Sequence, residues 1–539
     1  MGGTALPSSH INANEKQLKN ASLFHDKSYV DGNWVEAKSG KRFDITDPGS
    51  GKVWASAPDN DASDVDAAVQ AAHVAFESFK KTNPRTRAQW LLKWDSLIRE
   101  NKDDLAKIVT YETGKPIAES LGELDYALGF TWWFAGEAER ITGTIQVNAD
   151  VHALSDSCGS RKKSLHRQAT NRCSCGFGSL ELPNRVRSPS TTSKSSLTNA
   201  RMILRKAGAA LAAGCCMIVK PSPETPLSVL SLAMLAEQAG FPKGVFSVLT
   251  TSLENTPPLS EALCLHPLVK KVTFTGSRVF AKNIQTRVGK LVAKLCSEGL
   301  KKVTLELGGN CPFIVFDDAD LNQATDALMA LKWRHAGQAC ITANRVYVQS
   351  GIYTKFADLM REKTAKLKIG HGAEQGTTLG PLTTPRGVDK AVSQVEDAKK
   401  HGGQIVLGGN KLKDKDGFFF EPTIILGAKK EMQITVEESF APLLALYEFE
   451  TEEEVVKLAN DTSMGLASYF FTKNVDRTWR LLENLEAGMI GMNTGNASAA
   501  ESPFGGIKES GYGKESGKDV AVNEYLITKT GTLTLDGHF

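Results

Sequence analysis

Three absences narrow the reading of this 539-residue chain. Long hydrophobic runs are missing. The most apolar stretch, Ala207–Val219, has 13 residues, mostly Ala and Gly, whereas a bilayer span needs about 20; no membrane partner is expected. Charge of one sign is also missing. The formal net charge of +3 is too small to draw nucleic acid or an acidic surface. The third absence is a cysteine framework. Nine Cys are scattered along the chain, and Cys173-x-Cys175 has no second pair to complete a metal site. Reduced thiols, a cytoplasmic location and no metal are expected. The N-terminus lacks the charged segment and apolar core of a secretory signal. No Arg precedes Arg42, which argues against a mitochondrial presequence.

What is present is the balance of a soluble globular protein, 41% hydrophobic and 23% charged. The length suits two to four domains. Val65, Ala68, Val69, Ala72, Phe76 and Phe79 recur at three- and four-residue steps and predict a helix from about Ser63. Further helices are predicted over Arg85–Leu97, Lys102–Thr113 and Leu227–Ala239. Between helix-length patterns lie short apolar runs, "CCMIVK", "GVFSVLT", "VKKVTFTGS", "CPFIVFDD" and "RVYVQS". That alternation predicts a parallel sheet wrapped by helices. The C-terminal "EYLITKTGTLTL" alternates like an exposed strand, an edge that invites another chain.

Three segments carry chemistry. "VTLELGGN" ends an apolar strand at Glu306, where flanking leucines would desolvate the carboxylate and raise its pKa toward base work. Taken alone, a strand-end Glu facing water is the commoner case. "GQACITANR" places Cys340 after a Gly-Gln turn and before an apolar, helix-compatible run. Backbone N–H groups there would depress the thiol pKa and make a nucleophile; a buried structural thiol is the alternative. "VTFTGS" ends a strand at Gly276 and Ser277, where a following helix could receive a phosphate.

In this order, with "ESFAP" and "SPFGG" following, the segments resemble the NAD(P)-dependent aldehyde dehydrogenase superfamily from about Tyr29 to Leu535. "ENTP", "LCSEGLKKVTLELGGN" and "PFGGIKESGYG" are most similar to its succinate-semialdehyde branch. The resemblance implies an α/β fold with three parts: a Rossmann-type cofactor domain (28–140 and 202–307), an α/β catalytic domain (308–508) and a small oligomerisation sheet (141–150 with 524–539). It also implies a homodimer or homotetramer acting on a small aldehyde with NAD or NADP. By the same resemblance Cys340 is the nucleophile and Glu306 the base for the deacylating water. Lys220 would bind the adenosine ribose, Gly276 and Ser277 the pyrophosphate, Glu438 the nicotinamide ribose and Phe440 the nicotinamide ring. The residue types suit a thiolate adding to an aldehyde, hydride leaving to a nicotinamide, and water cleaving the thioester. Many members carry a Glu three residues after the ribose-binding Lys. Here that position is Pro223 and the carboxylate stands at Glu224, so NAD and NADP both stay open. Arg334 and Arg205 match the residues that grip a substrate carboxylate, with Ser498 assisting, a task suited to bidentate guanidinium. Each Arg taken alone could equally be a surface residue.

Between Asp150 and Arg205 the resemblance stops. The family has an oligomerisation strand there, then "QPIGV" and "PWNFP", whose Asn donates to the oxyanion. This chain reads "SLELPNRVRSPSTTSKSS", without a helical or strand period. Possible codons explain it. Leu180-Glu181-Leu182-Pro183 as CTG GAA CTT CCC, shifted by one letter, encodes Trp-Asn-Phe-Pro. Ala169–Ser174 likewise hides Gln-Pro-Ile-Gly-Val. Val186-Arg187 can be GTACGT, an intron start, and Arg201 as AGG supplies the terminal AG. Excision then returns the frame at Met202 as "PWNFPIAMILRK". Residues 151–201 are therefore read as frame-shifted and intron-derived. A second departure inserts Arg278–Gln285 after the pyrophosphate turn. Two other readings stand beside the enzyme. One is a catalytically impaired member of the fold, a pseudoenzyme or gene-model artefact; the other is an aldehyde dehydrogenase for a different substrate.

Overall fold

The computed structural model describes residues 18–147, 162–170, 174–178, 200–276 and 288–534. The predicted N-terminal helices form. Ala62–Phe79 is capped by Asp61 in a reciprocal pairing with Asp64, and buries the apolar stripe read from the sequence. Pro84–Glu100 starts with Pro at its first turn, and Lys102–Thr113 stops at left-handed Gly114. Ile117–Ala138 follows, its middle buried through Leu124, Leu128, Phe130 and Phe134. No described helix is long and apolar enough to cross a membrane.

Two large sheets face one another. In the first, five parallel strands (Ser174–Gly178, Met217–Lys220, Phe246–Val248, Lys271–Thr275 and Lys302–Glu306) stand in spatial order 3-2-1-4-5. That is the doubly wound order in which ligands bind outside the carboxyl ends, at the switch between the first and fourth strands. Short antiparallel strands close both edges, with Gly511–Tyr512 pairing the strand that ends at Glu306. In the second sheet, strands Thr423–Leu426, Leu443–Phe449, Ala343–Gln349, Cys311–Val315, Ala467–Phe471 and Met489–Met492 run parallel in that order. Gln404–Leu407 lies antiparallel at one edge. Each sheet has its own apolar core.

The run from Ser179 that the sequence shows without a period lies, as far as 199, outside the described residues; two strands precede it. Backbone of Ser174–Gly178 is the central strand of the first sheet, hydrogen-bonded on both sides. Backbone of Lys162–Thr170 lies between Thr144–Val147 and Leu526–Thr534 in a three-stranded antiparallel sheet. Thr144–Val147 and Leu526–Thr534, grouped above in one small sheet, flank this strand, which the sequence pattern does not announce. Backbone pairing with a preformed neighbour needs little from side chains, which is why periodicity misses it. Ala200 opens a buried helix to Ala212. Ser277 and the Arg278–Gln285 insertion lie outside the described residues.

Candidate active site

The carboxyl end of the strand Lys302–Glu306 points Glu306 into the space between the sheets. The amino ends of Ala343–Gln349 and Leu443–Phe449 bring Cys340 and Glu438 to the same place. The Gly pair after Glu306 has a spatial reason. A Cβ on Gly308 would stand 2.6 Å from the Glu438 carboxylate, and one on Gly309 would stand 2.5 Å from the Cys340 carbonyl oxygen. Gly505 likewise leaves room for Glu306, since its Cβ would lie 2.7 Å from Oε1.

Among the cysteines whose side chains are described, Cys340 alone is half-buried rather than fully buried. It lines a cavity of about 610 Å³. The expected depressed thiol is corrected: burial pushes Cys340 up to about 11, Arg201 and Arg205 opposing and Glu306 and Glu438 adding to the rise. Loss of hydration outweighs the nearby cations, so this thiol needs a base. The run after Cys340 is also not helical. It turns and enters the buried strand Ala343–Gln349, as Val346, Tyr347 and Val348 favour.

Both carboxylate oxygens of Glu306 are buried without a hydrogen-bond partner. Burial, then Glu515, hold its pKa well above the carboxylate range against Lys206, Arg205 and Lys514. The shift has the direction read from the sequence, but its source is the whole surround rather than two flanking leucines. Lys206 and Glu515 form a buried ion pair, bridged by Thr273, whose Oγ1 lies 3.0 Å from Lys206 Nζ and 2.9 Å from Glu515 Oε1.

The cavity brings Cys340 together with Arg205, Arg334 and Ser498. Arg205 is 2% exposed. Its guanidinium stacks 3.7 Å from the Phe504 centroid and 4.9 Å from Phe130, while Nε and Nη1 have no partner. Nη2 reaches the Tyr126 hydroxyl at 3.3 Å, and that hydroxyl hydrogen-bonds Ser498. Burial alone would raise the Tyr126 phenol; Arg205 and Ser498 turn the shift downward. Arg201 is a third guanidinium on the wall, its Nε also without a partner.

Sequence reasoning missed Tyr126, Glu119, Glu123 and Lys115. The last two form a buried ion pair in the cavity wall. Burial pushes Glu119 up to about 7, partly offset by the His335 N–H and by Lys115 and Arg334. A signal was available. Glu119, Glu123 and Tyr126 fall at helical steps on one face of Ile117–Ala138.

Of the proposed cofactor contacts, Lys220 ends its strand fully buried, with Nζ 3.5 Å from Thr256 Oγ1. Gly276 follows Lys271–Thr275, one strand beyond Ser174–Gly178 across the switch point, and donates its N–H to the Glu306 carbonyl at 3.0 Å. A Cβ there would fall 2.1 Å from the Phe274 ring. Glu438 is buried; its Oε1 accepts from Gly309 N at 3.3 Å and its carbonyl from Lys390 Nζ at 2.6 Å. Phe440 takes a left-handed φ of 52°, which turns the chain beside Glu438. A buried ammonium at Lys220, a glycine without room for a Cβ at Gly276 and a buried carboxylate at Glu438 are groups of the kind a dinucleotide needs. Glu224 accepts from the Ser222 hydroxyl and faces Arg386 at 3.5 Å.

The sequence model of the aldehyde dehydrogenase family matches residues 34–159 and 199–531, stepping over 160–198. The succinate-semialdehyde dehydrogenase [NADP(+)] 1 of Schizosaccharomyces pombe is 42% identical over 98% of this chain and 99% of its own. The 3-sulfolactaldehyde dehydrogenase of Pseudomonas putida is 41% identical over 95% and 98%. The crystal structure of succinate-semialdehyde dehydrogenase from Burkholderia pseudomallei superposes with a TM-score of 0.86 at 37% identity. It covers 96% of this chain and all of that one. Fold, strand order and this extent of match agree: the chain belongs to the aldehyde dehydrogenase family.

Proposed function

We propose that the protein oxidises a short aldehyde carrying an anion at its far end, succinate semialdehyde first, to the carboxylic acid. The observation that carries this reading is Arg205, a buried guanidinium with two nitrogens unpaired in the cavity that Cys340 lines. A buried cation without a partner is costly, and a ligand carboxylate would satisfy it. Arg334 supplies a second cation, and the Ser498 and Tyr126 hydroxyls supply further hydrogen bonds.

Glu306 takes the Cys340 proton and the sulfur adds to the aldehyde carbon, forming a thiohemiacetal. A nicotinamide cofactor, when bound, accepts the hydride. Once Glu306 has released the Cys340 proton to solvent, water whose proton goes to Glu306 attacks the thioester left on Cys340; the S–C bond breaks, the acid leaves, and the proton on Glu306 passes to the sulfur to regenerate the thiol. Lys220, Gly276, Glu438 and Phe440 would hold the cofactor, with Ser277 beside Gly276 in the sequence. NAD and NADP both suit the site, because the carboxylate of Glu224 is engaged by Ser222 and Arg386. A cytoplasmic homodimer or homotetramer, its subunits adding to the open edge of the sheet that holds Leu526–Thr534, belongs to the same proposal.

Two alternatives rest on particular observations. The 3-sulfolactaldehyde relative supports a different anionic tail on the same two arginines. The unmatched segment 160–198, which lacks the family's oxyanion Asn, supports an impaired enzyme. The test is to assay the purified chain with succinate semialdehyde, 3-sulfolactaldehyde and uncharged butyraldehyde, each with NAD and NADP, by absorbance of the reduced cofactor. The reading expects kcat/KM to be highest for succinate semialdehyde. Equal values for butyraldehyde would remove the anionic-substrate assignment.

A further inference from the structure

We propose that Glu119 is a positioning residue for the anionic end of the substrate: its carboxylate holds the left-handed turn that fixes Arg334. The inference rests on the reading of Arg334 as a substrate contact.

The segment Arg334–Gly337 leads from the arginine toward the nucleophile. Its last three residues are all left-handed: His335 at φ 51°, Ala336 at 49° and Gly337 at 74°. Two of them carry a Cβ, and such residues rarely adopt this conformation unless the surroundings impose it. Gly337 has a plain reason to be glycine, because a Cβ would stand 2.2 Å from the Ala441 carbonyl oxygen. His335 and Ala336 need a tether.

The His335 N–H donates to Glu119 Oε2 at 2.7 Å. This contact comes from a distant element, the first turn of helix Ile117–Ala138, and a carboxyl oxygen accepts it. On the other side of the turn the restraints are neutral. Gln338 Nε2 donates to the His335 carbonyl at 3.0 Å, and Thr383 N donates to Gln338 Oε1 at 3.0 Å. His335 Nε2 lies 3.3 Å from the Thr113 carbonyl oxygen and 3.5 Å from Thr383 Oγ1. Removing Glu119 therefore frees the Arg334 end of the turn, while the Gln338–Thr383 tether still holds the side leading to Cys340. Glu119 also lines the cavity with Arg334.

The experiment compares Glu119→Ala, Glu119→Gln and Arg334→Ala in the full chain. It reads KM and kcat for succinate semialdehyde and butyraldehyde, together with the calorimetric Kd of succinate, which needs no turnover. Glu119→Ala should raise the KM for succinate semialdehyde and the Kd of succinate by up to about tenfold, the scale of one lost hydrogen bond. The butyraldehyde constants should stay nearly unchanged. Glu119→Gln keeps an oxygen to accept the N–H and should recover most of the loss. Equal damage to both aldehydes in Glu119→Ala would make the residue a general support and overturn the proposal. Failure of Glu119→Gln to recover would overturn it too, since charge and not the accepted N–H would then be the active feature. If Arg334→Ala shows no difference between the two aldehydes, the reading of Arg334 falls first, and this inference with it.

Discussion

The two large sheets reach the same cleft with different sequences. Around the catalytic side, Cys311–Val315, Ala343–Gln349, Leu443–Phe449 and Ala467–Phe471 are dense in β-branched, aromatic and leucine residues and almost wholly buried. On the cofactor side the flanking strands Met217–Lys220 and Lys271–Thr275 are of that kind. The strand between them, Ser174–Gly178, reads "SCGFG". Two glycines in five residues would weaken a strand judged alone. Its place is set by two parallel neighbours offering unpaired backbone groups, so topology prevails over local preference there. The family match also fails at this place, stepping over 160–198 while running unbroken through the catalytic half. The interruption thus falls on the sheet whose last parallel strand ends at Glu306, while Cys340 lies in the continuous stretch.

The sharpest way to break this comparison is Cys340→Ala. It should abolish aldehyde oxidation, since the other cysteines whose side chains are described are fully buried; residual hydride transfer on adding aldehyde would move the nucleophile elsewhere. Glu306→Gln comes next, with steady turnover slowed about 10²–10⁴-fold, the usual worth of a positioned acid–base group. A burst of reduced cofactor should survive if thiol activation has a second route. The pH profile belongs to the same pair. Glu306 is held protonated well above the carboxylate range, and the Cys340 thiol lies at about 11. Both become active on losing a proton, so turnover should rise with pH across neutrality, and Glu306→Gln should flatten the part that Glu306 governs.

Repairing the interrupted half tests the comparison from the other side. A version reading "QPIGVAAVLAPWNFPIAMILRK" through this region, with Arg278–Gln285 removed, regains the Asn that donates to the oxyanion and places Ala at 201. It should turn over about 10²–10³ times faster than the chain as it stands, the worth of one preorganised donor. Equal rates would show that the segment as written already serves the cleft. Size-exclusion chromatography of both proteins checks whether the assembly changes as well. The smallest effects belong to the substrate arginines. Arg205→Ala and Arg334→Ala should each raise the KM for succinate semialdehyde roughly ten- to a hundred-fold over that for butyraldehyde. Equal effects on both would make these arginines structural.

Much of this was legible because some residues announce themselves locally. The helices over 62–113 follow from apolar spacing and caps, and Glu306 and Cys340 sit in short segments that resemble a family. The positions of Tyr126, Glu119 and the Lys206–Glu515 pair are long-range facts. Tyr126 meets Ser498 across most of the chain, and no window of sequence contains both. The thiol of Cys340 was misjudged because backbone N–H groups can be imagined from a turn, whereas the burial that outweighs them depends on the docking of both sheets.

The chain Arg205–Tyr126–Ser498 has a consequence for how the molecule can be divided. Arg205 and Tyr126 stand on helices of the cofactor half, while Ser498, Phe504 and Arg334 come from the catalytic half. The substrate pocket is therefore a joint rather than a possession of either part. Cutting the chain between Glu306 and Cys311 would part the first core from Ala500, Ala521, Val522, Tyr525 and Leu526, which pack into it, and neither fragment would hold a complete anion site. Fragment complementation offers a direct assay of that joint: selectivity for an anionic aldehyde should return only with the fraction of fragments that re-dock.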